Sequence, residues 1–274
     1  MKRITILLLK ISCVQLLFAQ INTPSDPRFV FHKIAVAERN PVPWPYLPER
    51  DVFICKYVER VVDSREKLNL CLRWPQQPLM EVIYSALKEG KIHAYKDIGL
   101  DSAYDGWYAR IIGAKKLHLT VQNSIDEFDV HDTEITSPLS APDFKKFRVM
   151  ENWIFDRNTG EQYTRIYAIC PMYELTVSGQ NLGDQPAFFL SYQECRKLFV
   201  NTEVFNRQND AGRLTYDDFF EQRLFSSYIT KTSNVFDLEI RNMEEFSVDG
   251  VSALIEGNAQ GEALFNTEHD MWEY

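Results

Sequence analysis

The sequence predicts an α+β fold, and three features carry that expectation. Short β-rich runs are separated by proline and charged turns, single amphipathic helical stretches follow them, and the same order of elements recurs in the second half. In the first half, Val61-Val62-Asp63, a charged turn, a strand-like run and a proline precede a helical stretch. Ile154-Phe155-Asp156, a turn, a strand-like run and Pro171 do the same in the second. Gly90-Lys91-Ile92-His93-Ala94-Tyr95 then echoes Gly212-Arg213-Leu214-Thr215-Tyr216. The offset grows from 93 to 122 residues, so the second copy carries an insertion. Two related α/β modules in tandem are expected, each a small antiparallel sheet with packed helices. A Pro-rich extended segment precedes them and a tail follows.

Residues 1–19 read as a secretory signal peptide: a basic start at Lys2 and Arg3, an apolar run to Phe18, and Ala19 as the cleavage point. Lys10 shortens the apolar run below the roughly 20 residues of a spanning helix. Cys13 lacks a proper lipobox. Removal of this leader takes away Lys2, Arg3 and Lys10 and no acid, so the net charge moves from −9 to −12 over about 255 residues. So acidic a chain lacks the general basic face that nucleic acid requires. Its length suffices for one large domain or two small ones.

Residues 20–50 form the lead-in. Prolines 41, 43, 45 and 48 hold the chain extended and display Trp44 and Tyr46 on a stiff rod. These rings either pack back on the protein or dock on a neighbour, at small entropic cost because the rod is already stiff. The first module spans residues 51–137: a strand over Val52–Val62, a turn at Asp63–Lys67 and a second strand over Leu68–Trp74. A helix from Pro78 to Lys88, stopped by Gly90, and a strand at Ile92–Tyr95 follow. Leu117–Val121 reads as a strand and the acidic stretch Asn123–Glu134 as a solvated loop, without the spacing of a calcium loop. Thr136–Asp143 is the linker.

The second module spans residues 144–250. Strands are expected over Phe147–Phe155 and Tyr163–Ile169, joined by the Asp156–Gly160 turn and ended by Pro171. Ser178–Pro186 reads as a polar loop, Ala187–Leu190 as a strand and Tyr192–Phe205 as a helix. A long helix follows over Thr215–Lys231, with Thr215 as its N-cap and Phe219, Phe220, Leu224, Phe225 and Tyr228 facing inward. Val235–Ile240 reads as a strand. Residues 251–274 form a flexible tail with an apolar end, Met271, Trp272 and Tyr274, that either docks on its own domain or folds onto a partner.

No catalytic, nucleotide-binding or zinc signature is present, and the five histidines have no metal spacing. Asp217 and Asp218 are adjacent, point about 100° apart on a helix, and suit capping better than acid–base work. Cys55, Cys71, Cys170 and Cys195 are either buried thiols or contain one bridge. No cofactor or metal is expected.

Several runs together resemble the gliding-motility protein family GldN, called PorN in non-gliding relatives. They are Pro41–Tyr46, Glu49–Val52, Asp63–Asn69, Gly90–Tyr95, Asp126–Phe128, Glu151-Asn152-Trp153, Phe155-Asp156, Asn209–Ala211, Phe225–Ile229 and His269–Tyr274. Residues 97–101 and the stretch up to Asp126 are longer than the family pattern. The resemblance implies a non-enzymatic structural subunit of a periplasmic ring in the Bacteroidetes type IX secretion and gliding machinery. Implied partners are an outer-membrane lipoprotein of the same ring, the periplasmic part of the secretion motor and further copies of the chain. Trp44, Tyr46, Met271, Trp272 and Tyr274 are then the candidate interface residues. The rival from residue chemistry alone is a periplasmic glycan-binding or hydrolytic protein that uses exposed aromatics as sugar platforms.

Overall fold

The computed structural model describes residues 39–100, 115–123, 127–135, 140–177, 180–246 and 249–271. The expected leader, residues 20–38, residues 101–114, the 136–139 part of the linker, Trp272 and Tyr274 lie outside them.

Strand β1 (Val52–Asp63) follows a single 3-10 turn at Glu49–Asp51. Val58, Glu59, Val61 and Val62 are all buried in it, so both faces of the strand are covered and the apolar alternation is incomplete. Beyond the Asp63 turn the chain does not run out as the expected second strand: Asn69–Arg73 is a 3-10 helix. The Asn69 side chain donates to Asp63 O and Ser226 O, both at 2.9 Å, and curls the chain back on itself. Helix α1 (Leu79–Lys88) begins after Pro78 and turns Leu79, Met80, Ile83, Ala86 and Leu87 inward. Gly90 closes it at φ +67°, with Lys91 N–H donating to Ala86 O, a left-handed cap of the kind glycine allows. Strand β2 is Ala94–Tyr95.

Strands β3 (Lys115–Asn123) and β4 (Glu127–Ile135) pair antiparallel along their whole length. Most of the acidic stretch expected as a loop is therefore a strand. Glu127, Asp129 and Asp132 are interleaved with Phe128 and Val130, a near period-2 pattern that the charge obscured.

Strands β5 (Lys146–Asp156) and β6 (Gln162–Val177) form the central hairpin, turned at Gly160 with φ +69°. Pro171 does not end β6. Its carbonyl accepts from Ala187 N–H, on the side away from β5 and between the two strands β6 pairs there. The missing proline N–H thus falls where the ladder is already interrupted. The overrun gives β7 (Gln180–Pro186), expected as a loop, an edge to pair with. Strand β8 (Phe189–Ser191) leads into α2 (Tyr192–Phe199), shorter than expected because β9 (Glu203–Val204) pairs with β10 (Leu214–Thr215).

Helix α3 (Tyr216–Glu221) starts at Thr215 with a capping box to Asp218, as expected, but spans six residues instead of reaching Lys231. Arg223 at φ +54° breaks the helix, and the chain returns to the sheet as β11 (Tyr228–Thr232). Phe219, Phe220 and Phe225 are buried, while Leu224 is exposed. The expected strand at Val235–Ile240 is a turn. Asn234 Oδ1 accepts from Phe236 and Leu238 N–H, which leaves Phe236 81% exposed. The expected flexible tail is mostly helix α4 (Gly250–Met271).

The strands from β1 to β11, β3, β4, β9 and β10 apart, make one seven-stranded sheet in the order β11-β1-β5-β6-β8-β2, with β7 also on β6. β1 lies between two strands of the second half, so the halves do not form separate sheets; residues 40–274 make one compact unit. β1 and β2 never pair, and neither could cover its hydrogen-bonding edges without strands from the second half. The main core lies between the sheet and α1, α2 and α3, with Tyr192, Phe199, Tyr216, Phe219 and Phe220 at its centre. A second cluster of Val58, Ile229 and Ile240 is closed by Phe246, Ala253, Leu264 and Trp153.

Helix α4 reaches β11 through glycine. A Cβ on Gly257 would stand 2.5 Å from Ile229 O. On an exposed helix, alanine for glycine would stabilise by up to about 1 kcal/mol. Here Gly257→Ala should destabilise by about 1–3 kcal/mol, because backbone must move aside. Urea unfolding, together with faster proteolytic release of the C-terminal helix, checks this.

Candidate interaction site

Two of the runs that carry the family resemblance meet, Asp63–Asn69 and Phe225–Ile229. Asn69 Oδ1 accepts from Ser226 N–H at 3.0 Å, and the Glu66 carboxylate accepts a short hydrogen bond from the Ser226 hydroxyl. Asp63 binds the Arg65 backbone N–H at 2.9 Å and its guanidinium at 2.6 Å. Ser64 donates to Lys145 O at 2.7 Å. The Asp63–Asn69 turn and the Phe225–Tyr228 segment, about 160 residues apart, are thus clamped together, with Ser64 and Asn69 buried.

Glu151, fully buried, occupies the next layer. It stands opposite Val58 and diagonal to Arg60 on β1. It accepts from Arg60, from Arg223 at 2.7 Å and from Trp153 Nε1 at 2.7 Å. Both guanidiniums also lie over the Trp153 ring, at 5.3 and 5.6 Å. Burial alone would raise the Glu151 carboxyl, but Arg223 and Arg60 outweigh it and hold it below the usual carboxylate range. Burial and the neighbouring Arg223 cation lower Arg60, although a guanidinium stays charged. Glu59, also buried, is held at 2.9 Å by Tyr57 OH and at 3.1 Å by Arg148, which reaches Glu239 at 2.9 Å. Every one of these carboxylates is committed to a partner within the chain.

Trp44 turns inward. Its ring stacks on Tyr192 with centroids 6.2 Å apart, and Nε1 donates to Glu221 at 3.0 Å. The guanidiniums of Arg196 and Arg165 lie 5.2 and 5.7 Å from its ring. Arg165 also donates to Pro45 O at 2.6 Å, fastening the proline rod. Tyr46, by contrast, is 91% exposed. Met271 is the last residue of α4; Trp272 and Tyr274 lie outside the described residues. Asp217 pairs with Arg196 at 3.0 Å and Asp218 caps α3, so neither is presented for acid–base work. His93 bonds to Glu194. Among the described residues no cluster of His, Cys, Asp and Glu could hold a metal.

Residue patterns did not single out one surface: the exposed apolar side chains of Leu68 and Leu70 on the 3-10 turn, with Phe205 beside Trp74. Alternation of Leu68, Leu70 and Leu72 read as a strand, and nothing in it marked which side faces water.

The sequence profile described as "Gliding motility associated protein GldN" matches residues 47–273. The chain belongs to the GldN family. The match begins at Leu47, within the proline rod and past Trp44 and Tyr46, and takes in both the Asp63–Asn69 clamp and the Glu151 layer. No curated protein matches the chain. In this GldN family member the polar residues of the Asp63–Asn69 and Glu151–Trp153 runs build the scaffold, while Leu68 and Tyr46 of the signature runs face water.

Two outcomes follow from these environments. Because the Glu151 carboxyl lies below its unfolded value, its contribution to stability is complete above the unfolded pKa of about 4.3 and disappears as pH falls through the folded value. Glu151→Gln should therefore cost about 3 kcal/mol at neutral pH, and the gap from wild type in urea midpoint should close on acidification. None of the four described cysteines is in a disulfide: Cys55 is exposed, whereas Cys71, Cys170 and Cys195 are buried. Burial pushes Cys71 up to about 11 and raises Cys195 further. A thiol reagent should modify Cys55 alone between residues 20 and 274 until the chain is unfolded, as peptide mapping by mass spectrometry would show.

Proposed function

We propose that this chain is a non-enzymatic structural subunit of the periplasmic ring of the type IX secretion and gliding machinery. It binds an outer-membrane lipoprotein of the same ring, the periplasmic part of the motor and further copies of itself. Family membership supplies the link to gliding motility. The observation that carries the structural role is the commitment of the signature carboxylates, Asp63, Glu66 and Glu151, to internal bonds. A subunit that transmits load needs a sheet whose distant segments are cross-tied in this way, and exposed side chains for its neighbours. The basic, apolar residues 1–19 support export. No helix among the described residues is long and apolar enough to cross a membrane, which fits attachment through a lipoprotein.

Affinity purification of the tagged chain from cell envelopes should recover the lipoprotein and the motor protein in a large assembly, and deletion should abolish secretion. Recovery as a monomer with neither partner would overturn the assignment and favour the glycan-binding alternative.

A further inference from the structure

One exposed surface is basic although the chain as a whole is acidic. Leu68, Leu70 and Phe205 are 54%, 50% and 43% exposed, and Phe205 touches the half-buried Trp74 with ring centroids 6.1 Å apart. Lys67, Arg73 and Arg207 stand exposed around these side chains. Arg207 donates to Lys67 O at 2.7 Å, joining the two segments, and none of the three cations is in an ion pair among the described residues. The acids nearby are largely occupied: Glu66 by Ser226, and Glu203 by Arg213 at 3.5 Å. Asp210, in the same turn as Arg207, is exposed. An apolar centre with an unpaired basic rim suits a peptide that alternates carboxylates with aromatic side chains.

The chain carries such a peptide. Glu268-His269-Asp270-Met271-Trp272-Glu273-Tyr274 holds three carboxylates and three large apolar side chains within seven residues. It cannot reach the surface of its own copy. Leu264 and Thr267 of α4 lie against Ile54 and Lys56, near the start of β1. The basic surface is tied to the far end of β1, where Asn69 donates to Asp63 O. The nine residues from Ile54 to Asp63 span about 30 Å of strand. From Thr267, one more helical turn and three extended residues advance at most about 17 Å.

We infer that the Leu68–Trp74 and Phe205 surface binds the Glu268–Tyr274 segment of a second copy. The contact is heterologous, tail of one copy to clamp end of the next, and repetition of such a contact closes a ring or extends a filament. It deepens the self-association proposed above and takes its setting from that proposal.

A labelled Glu268–Tyr274 peptide titrated against the full chain tests the contact by fluorescence anisotropy. Arg73→Glu with Arg207→Glu should weaken binding by about tenfold or more, and a peptide carrying Asp270→Lys and Glu273→Lys should recover it. Phe205→Ser, which leaves the charges in place, should weaken binding as well. Equal binding to wild type and all variants, or no binding to wild type at millimolar peptide, overturns the inference. The ring assignment is scored separately by envelope purification. Recovery of the lipoprotein and motor without peptide binding removes only this contact. Peptide binding that depends on the surface, from a chain that recovers neither partner, upholds the contact and removes the ring.

Discussion

Glu151 has no access to water, and an unpaired carboxylate there would cost several kcal/mol. Its charge is tolerable only because Arg60 comes from the neighbouring strand and Arg223 from the break after α3. That requirement reaches far along the chain. Arg223 can approach only if α3 stops early, and stopping α3 releases Tyr228–Thr232 to enter the sheet beside β1. Asn69 and Glu66 then capture Ser226 as it passes. A single buried ion layer thereby couples helix length, sheet order and the clamp.

The same logic explains why the signature residues serve the scaffold. Buried polar groups that are fully paired confer a unique arrangement, and partly paired ones are worse than apolar packing. Residues of this kind in the Asp63–Asn69 and Glu151–Trp153 motifs are bonded to one another and to Ser226, Arg60 and Arg223. What the chain presents outward is different in character: Tyr46 on its rod, the loop around Phe236, and the basic-rimmed apolar surface near Phe205. Interfaces concentrate their energy in such aromatic and arginine groups.

Helix α4 illustrates a second constraint. Its apolar residues are too scattered for a one-sided stripe, and its glycines resemble a flexible linker. Yet Gly257 is where the helix meets Ile229 closely enough that backbone meets backbone, and Gly261 lies against the Ile229 side chain. Small residues permit an approach that a larger side chain would prevent, so composition and role point in opposite directions.

By itself the sequence determined the elements whose signals are local: β1, α1 between Pro78 and Gly90, the β5–β6 hairpin with its Asp156–Gly160 turn, and the Thr215 cap. Each depends on φ preferences, capping chemistry or apolar period within a dozen residues. It also carried the motifs that place the chain in its family. Only the tertiary structure decided that both halves share one sheet, that Pro171 sits inside a strand, that Thr215–Lys231 is half helix and half strand, and that Trp44 turns inward. It decided too that Leu68, Leu70 and Phe205 face water together. Those outcomes depend on partners outside the local window, 16 residues away for Pro171 and Ala187, 72 for Arg223 and Glu151 and 177 for Trp44 and Glu221. A local window cannot see a partner at that distance, and long-range pairing overrides local propensity wherever a buried charge or an open strand edge must be satisfied.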